Sequence, residues 1–361
     1  LLLLQLIGDA TQKPTLQELT KLLDPENPGL PREVQSYLIE YCGIAGVEVD
    51  LITEPIRECA KMLRAKGNPK ATSTAPQDIA NLILALGSYD KRQYSMTDQA
   101  VIRPDLLTLF CFHPDRSVHS ASRWLLQKWG FESTVRDCLP SIQSELPQPG
   151  FDWHEDPAGI CFAVFEPTEF HYGPDNQYSF PKNQNMTDRQ EKVGRKFGVA
   201  IYETTRQDFA RIENLLASAL AKQAESLTGE SAELARKRSD QLIRSQKNRL
   251  ASELEERPAD DAPVASVSWD DVTFYCNALN RIAGIASNQN VYSIYGNAKQ
   301  PNPRSFAKEN GLELAGYRLP TAPEWELAAR GDASHRYCFG DDIDIFDREA
   351  AFIETVLDPL R

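Results

Sequence analysis

Thiols, imidazoles and carboxylates are the groups through which this chain could do chemistry, and their spacing narrows what that chemistry is. The cysteines stand at Cys42, Cys59, Cys111, Cys138, Cys161, Cys276 and Cys338, an odd number with no Cys-x-x-Cys pair. That is neither a disulfide framework nor the close ligand spacing of a structural zinc site. It reads as unpaired, buried thiols in a reducing compartment, so the cytoplasm is the expected location. The histidines (His113, His119, His154, His171, His335) are too scattered for a zincin helix. His113 and His119, on neighbouring helices, are expected to cap or pack rather than bind metal. Asp341, Asp342 and Asp344 could offer oxygens to a hard cation but lack the spacing of a calcium loop. There is no Walker loop, no Gly-x-Gly-x-x-Gly and no Gly-x-Ser-x-Gly, which removes several large enzyme classes. These residues assign no catalytic position, no cofactor site and no metal site.

The elements around these groups follow from hydrophobic spacing. Residues 1–147 read as helix after helix. One stripe holds Val34, Tyr37, Leu38, Tyr41 and Cys42 between Pro31 and Gly43; another holds Ile79, Leu82, Ile83 and Leu86 between Pro76 and Gly87. Leu106, Leu109, Phe110 and His113 form a third. Val118, Ala121, Ser122, Leu125 and Trp129 form a fourth, closed by Gly130. Short helices in series bury their apolar faces against neighbours, so the expected shape is a HEAT-like stack, although no strict period is present. Leu146-Pro147-Gln148-Pro149-Gly150 has linker composition, and 148–157 is taken as the linker.

Beyond it, Cys161 to Phe165 and Phe197 to Tyr202 are strand-like, and Tyr172 to Asp188 reads as loop. Residues 207–256 are charged and helical, with Phe209, Ile212, Leu216, Ala219 and Leu220 on one stripe and Leu234, Leu242, Leu250 and Leu254 on a sparser one. Two readings stay open there: a solvated helical hairpin inserted between strands, or a partner-binding coiled coil. Val264 to Val267 is expected as a short strand. Ser268 with Asp271, and Thr321 with Glu324, are spaced as capping boxes that open two helices. Cys276 lies on the apolar stripe of the first of these and is read as a core thiol. Cys338, in a loop, is read as a packing or surface thiol. Arg318 and Glu324 could face a groove, but a helix-entry ion pair is the expected role; Trp269 and Trp325 are expected as core anchors. Pro320 is placed to pack on Trp325, and Gly331 to end the second helix.

Composition bounds the partners. With 39 Lys and Arg against 52 Asp and Glu, the formal net charge is −13, which argues against nucleic acid or an anionic membrane as the main partner. The run Leu1 to Leu4 with Leu6 and Ile7 is far short of a membrane span and lacks the flanks of a signal peptide. Since no Met opens the chain, an excerpt of a longer protein is expected.

Pro263-Val264-Ala265-Ser266-Val267-Ser268-Trp269-Asp270-Asp271, Tyr275-Cys276-Asn277, and Tyr317-Arg318-Leu319-Pro320-Thr321 with Glu324-Trp325-Glu326 and Ala328-Ala329-Arg330-Gly331 resemble the formylglycine-generating enzyme (sulfatase-modifying factor) family. Phe162 to Gly173 is similar to that family's opening strand and loop, and Phe197 to Phe209 to its second signature. The resemblance implies an α+β domain with a variant of the C-type lectin fold. It also implies, for the aerobic enzymes, oxidation of a peptide cysteine to formylglycine by O2 and copper held between two cysteines. Those ligands, and most calcium-binding loops of the family, are expected past Arg361, so no catalytic position carries over. The His-x-x-x-His-x-Glu motif of the related nonheme-iron sulfoxide synthases is absent. Leu84 to Asp90, His113 to Ala121, Trp124-Leu125-Leu126 and Trp129-Gly130 resemble the helical region that precedes such domains in large multidomain bacterial proteins, some of which begin with a kinase. The expected architecture is therefore multidomain: an N-terminal all-α HEAT-like segment (1–147), and an incomplete C-type-lectin-like domain (158–361) with a helical insertion at 207–256. Two functions follow. One is a sulfatase-modifying-factor-like oxidoreductase acting on a peptide cysteine. The other is a non-catalytic lectin-fold module that binds protein or another ligand.

Overall fold

The computed structural model describes residues 39, 42–43, 47–66, 74–144, 147–173, 189–233, 235–237, 239–240, 244, 262–295 and 304–330. The helix expected from Pro31 to Gly43 lies mostly outside them, with Ile39 helical and Cys42-Gly43 in a turn. Five helices then follow: α1 (Val49–Lys66), α2 (Pro76–Leu86), α3 (Met96–Phe112), α4 (Arg116–Lys128) and α5 (Glu132–Ile142). Proline opens α2 at its first turn. A Ser95–Asp98 capping box opens α3, and the Asp115 carboxylate, accepting from Ser117 N and Val118 N, opens α4. Gly130, at φ 82°, takes the left-handed position after α4 that a side chain would resist.

Helices α1 and α2 pair, as do α3 and α4, and the pairs lie side by side through α1 on α3 and α2 on α4. Their contacting stripes, with Ile52, Ile83, Leu106, Phe110 and Leu125 fully buried, make one core. Each such side chain contributes about 1.5–3 kcal/mol by leaving water.

That core does not stop at the helices. Trp153 and Cys161 belong to it, and Phe151 packs on it. Trp153–Glu155, inside the stretch expected as linker, form strand β1. The correction has a plain cause: Phe151 and Trp153 are large apolar groups that bury against α3 and α4, and burial forces their backbone to pair. β1 pairs antiparallel with β2 (Cys161–Phe165), and β2 with β5 (Phe197–Ala200), giving the sheet order β1-β2-β5. Between them β3 (Thr168–Tyr172) and β4 (Arg189–Val193) form a separate antiparallel pair. Sequence periodicity missed this pair because both strands are largely polar and only partly buried, with Val193 the one buried residue between them. Of the expected loop, 174–188 lies outside the described residues.

Helix α6 (Arg206–Ser226) begins the segment expected as an insertion, yet its first turns are core. Phe209 stacks on Tyr275 at 4.8 Å, and Ile212 is fully buried beside Leu279. Ala232, Ala235 and Ser239 are buried, and the Ser239 hydroxyl donates to the Ala217 carbonyl at 3.1 Å, so the chain returns along α6 as a hairpin. Leu234, Leu242, Leu250 and Leu254 lie outside the described side chains.

Val264–Val267 is not a strand. Pro263 makes one bridge with Thr205, and Ser266 turns to φ 55°, which interrupts any extended run. Helix α7 (Trp269–Ile282) then starts at its expected capping box: Asp271 N donates to Ser268 Oγ at 3.2 Å, and Ser268 N donates to Asp271 Oδ2 at 2.9 Å. Replacing Ser268 by Ala removes the cap acceptor and is expected to cost about 1 kcal/mol, read as a shift in the urea midpoint with unchanged slope. A hairpin of β6 (Tyr292–Tyr295) and β7 (Arg304–Ala307) follows, then α8 (Ala322–Arg330), which packs on β3 and β4. No helix among the described residues is long and apolar enough to cross a membrane.

Candidate functional site

Two clusters of polar side chains stand out, one at the start of α8 and one where α4 meets the sheet. The first is built on Glu324, at the third position of α8 and fully buried. Arg318 reaches it with both guanidinium nitrogens, Nη1 to Oε2 and Nη2 to Oε1, each at 2.7 Å. Arg195, from the turn between β4 and β5, donates Nε to Oε1 at 3.0 Å, and Thr321 N donates to Oε2 at 2.8 Å. Glu324 N donates back to Thr321 Oγ1 at 3.4 Å, completing the expected capping box. Burial alone would raise the Glu324 pKa, but these donors and the two cations overcome it and hold the carboxyl at about 2. Arg318 and Glu324 thus have the ion-pair role expected of them, with Arg195 as a third member that its position far upstream concealed.

Around this rigid centre the surface is apolar where burial was expected. Trp325 is 63% exposed and Trp269 51% exposed, so neither is a core anchor. The reason is positional: Trp269 is the first residue of α7 and Trp325 follows Glu324, while the inward positions go to Tyr275, Cys276, Leu279 and Leu327. Pro320 is likewise exposed, and Gly331 lies outside the described residues. Trp269 is nonetheless held in place. Its Nε1 donates to Ser305 O at 3.2 Å and its ring meets Tyr292 edge-on at 5.6 Å. Ser305 is fixed in turn by Asp270, whose Oδ1 accepts from Ser305 N at 2.9 Å and Oγ at 2.7 Å. The Tyr292 hydroxyl accepts from Leu319 N at 3.0 Å, tying the start of α7 to the approach to α8. Leu319 and Phe306 are exposed beside these residues.

The second cluster is buried at the joint between helices and sheet. His119, on α4, is sandwiched between Phe110 at 4.7 Å and Trp153 at 3.8 Å. Its Nδ1 donates to Phe110 O at 2.6 Å, and its Nε2 faces Cys161 Sγ at 3.3 Å. Burial drives its pKa down to about 3, so the ring is neutral. Glu155 is fully buried, with Arg123 at 3.4 Å from Oε2 and no hydrogen-bond partner for Oε1. Burial raises its pKa, against the pull of Arg123 and of the Cys161 thiol. Asp156, next along, accepts from Tyr317 Oη at 2.5 Å and from Ile160 N at 2.8 Å, so the same joint reaches the approach to α8. His113 caps α3 and accepts from Asp115 N at 3.2 Å. His113 thus sits at a helix end and His119 is packed between rings, while the convergence of His119 with Glu155 and Cys161 was missed. The one signal for it was the polar His154-Glu155-Asp156 run beside Trp153 in a supposed linker.

Most of the described thiols are buried and protonated. Cys42, Cys59, Cys111, Cys161 and Cys276 are buried. Burial pushes Cys59 up to about 11 and Cys42, Cys111 and Cys276 up to about 12, so none is a thiolate near neutrality. Cys276 is the core thiol expected of it. Cys338, Asp341, Asp342 and Asp344 lie outside the described residues. The copper implied by the resemblance needs two neighbouring thiols, and Cys161 and Cys276 sit in separate cores. The described residues of this region therefore do not fit that ion, and they supply no cluster of carboxylates for calcium.

Residues 163–355 match the family model described as the sulfatase-modifying factor enzyme 1-like domain. No curated protein and no solved structure matches the chain. The matched span opens within β2, so it takes in the Glu324 cluster, leaves Glu155 and Cys161 just outside, and leaves His119 well upstream.

Proposed function

The chain belongs to the family of sulfatase-modifying factor enzyme 1-like domains, whose model spans more than half of it, and from that premise we propose that it is a sulfatase-modifying-factor-like protein that takes a peptide or protein segment on the surface around Trp269, Leu319 and Trp325. The observation that carries this reading is two half-exposed or more exposed tryptophans presented by helix starts that the capping boxes, Tyr292 and the Glu324 ion pair hold rigid. Rigid exposed aromatics bind at low entropic cost and are the residues that dominate peptide recognition. In its finer form the proposal includes a C-type-lectin-like domain that oxidises the bound peptide's cysteine, beside a HEAT-like scaffold in the cytoplasm. The copper-holding thiols for that step are not among the described residues, and no step is assigned to those present.

A second reading has its own support. The acidic balance, with a formal net charge of −13, and the hairpin that begins with α6 favour a non-catalytic lectin-fold module that binds its partner and leaves it unchanged. A fluorescein-labelled, cysteine-containing sulfatase-type peptide separates the two, with anisotropy for binding and mass spectrometry in air with copper for conversion. The 361-residue chain is expected to bind without converting. Turnover lost in Cys338→Ser would establish the oxidase instead. Trp325→Ala is expected to weaken binding by about tenfold or more while leaving stability within about 0.5 kcal/mol, since its ring is largely in water. Unchanged anisotropy in Trp325→Ala and Trp269→Ala together would place the peptide elsewhere.

A further inference from the structure

The joint between α4 and the sheet brings together an imidazole, a thiol and a carboxylate whose ligand atoms all lie within 4.8 Å of one another. We propose that His119 Nε2, Cys161 Sγ and a Glu155 carboxylate oxygen form a structural site for a zinc-class divalent transition ion, which staples α4 to the β1–β2 strands. Nothing in it depends on the peptide-binding surface.

Three independent features point to an ion. First, the His119 ring is set as metal-binding histidines are set. Its Nδ1–H is committed to Phe110 O at 2.6 Å and its plane is clamped between Phe110 and Trp153, so the Nε2 lone pair points one way only, toward Cys161. Second, Glu155 Oε1 is a fully buried acceptor with no hydrogen-bond partner, a costly condition that a cation would remove. Third, the donors arrive from separate places in the chain, α4, β1 and the first residue of β2, and converge on one point. Mixed sulfur, nitrogen and oxygen donors suit zinc or cobalt and disfavour the hard ions magnesium and calcium. On binding, the Cys161 S–H bond breaks, the sulfur bonds to the ion as thiolate, and the proton leaves to solvent. The divalent charge is then balanced by one thiolate and one carboxylate, and Arg123 keeps its contact with Glu155 Oε2. A water completes the four-coordinate shell, and because Cys161 and its partners are buried the site is a staple with no access for substrate.

The test uses the full 361-residue chain stripped of metal and titrated with Co2+, then with Zn2+. One equivalent of cobalt is expected to give a thiolate-to-cobalt charge-transfer band with tetrahedral visible bands, displaced by zinc, and zinc should raise the melting temperature by several degrees. Cys161→Ser should abolish the charge-transfer band, and Glu155→Gln should weaken zinc binding by about tenfold or more. Cys111 and Cys138 interact across α3 and α5 and are the competing thiols, so Cys138→Ser should leave the band intact. X-ray absorption of the zinc-loaded wild type should show one sulfur in the first shell. That measurement decides the matter even if Cys161→Ser does not fold. A shell with two sulfurs or none, a band that survives in Cys161→Ser, or no cobalt bound by folded protein would overturn the site.

Discussion

Glu324→Gln is expected to lower the melting temperature by roughly 6–12 °C, corresponding to about 3 kcal/mol for a unit of this size. The amide is nearly isosteric, so the loss is electrical. Two guanidiniums, Arg318 and Arg195, are left facing a neutral group, and an amide nitrogen replaces one acceptor of a four-donor network. The pH dependence separates this cause from a packing defect. A carboxyl held at about 2 when folded and near its ordinary value when unfolded contributes stability that is fully present above about 4.5. That contribution is lost as pH falls from there toward 2. The gap between wild type and variant, followed by thermal unfolding at pH 7, 4 and 3, should therefore narrow below pH 4.5. A gap of constant size would assign the loss to shape. Arg318→Lys should recover part of the effect, because an ammonium keeps the charge but cannot bond both oxygens at once.

Trp153→Ala is expected to cost about 3–5 kcal/mol and to destabilise helices and sheet together. The indole is 3% exposed, stacks on His119 at 3.8 Å and donates Nε1 to His113 O at 2.8 Å. Its removal opens a cavity at the joint and strands a buried carbonyl. Urea unfolding followed by far-ultraviolet circular dichroism, to which α1–α5 give the larger helical share, and by fluorescence should show both midpoints falling together. If the helical signal kept its midpoint, 148–157 would be the linker its proline-rich composition suggested, and the shared core would be wrong.

The joint shows how much a local pattern conveys. Ile79 to Leu86 and Val118 to Trp129 announced helices because an amphipathic stripe is a property of neighbours three and four apart. Ser268 with Asp271 and Thr321 with Glu324 announced helix starts because a cap is made within four residues. Trp153, by contrast, looked like part of a linker, since the groups that bury it lie on α3 and α4.

Family membership and the local devices of α7 and α8 were therefore legible in the chain itself: motif order, capping boxes and the Arg318–Glu324 pair are written at short range. Arg195 as a third partner, the outward turn of Trp269 and Trp325, and the meeting of His119, Glu155 and Cys161 were not. Each depends on which face of an element the rest of the molecule covers, and on residues tens to more than a hundred positions apart being brought within a few ångströms. Burial and electrostatics act through space, so only the packed structure decides them.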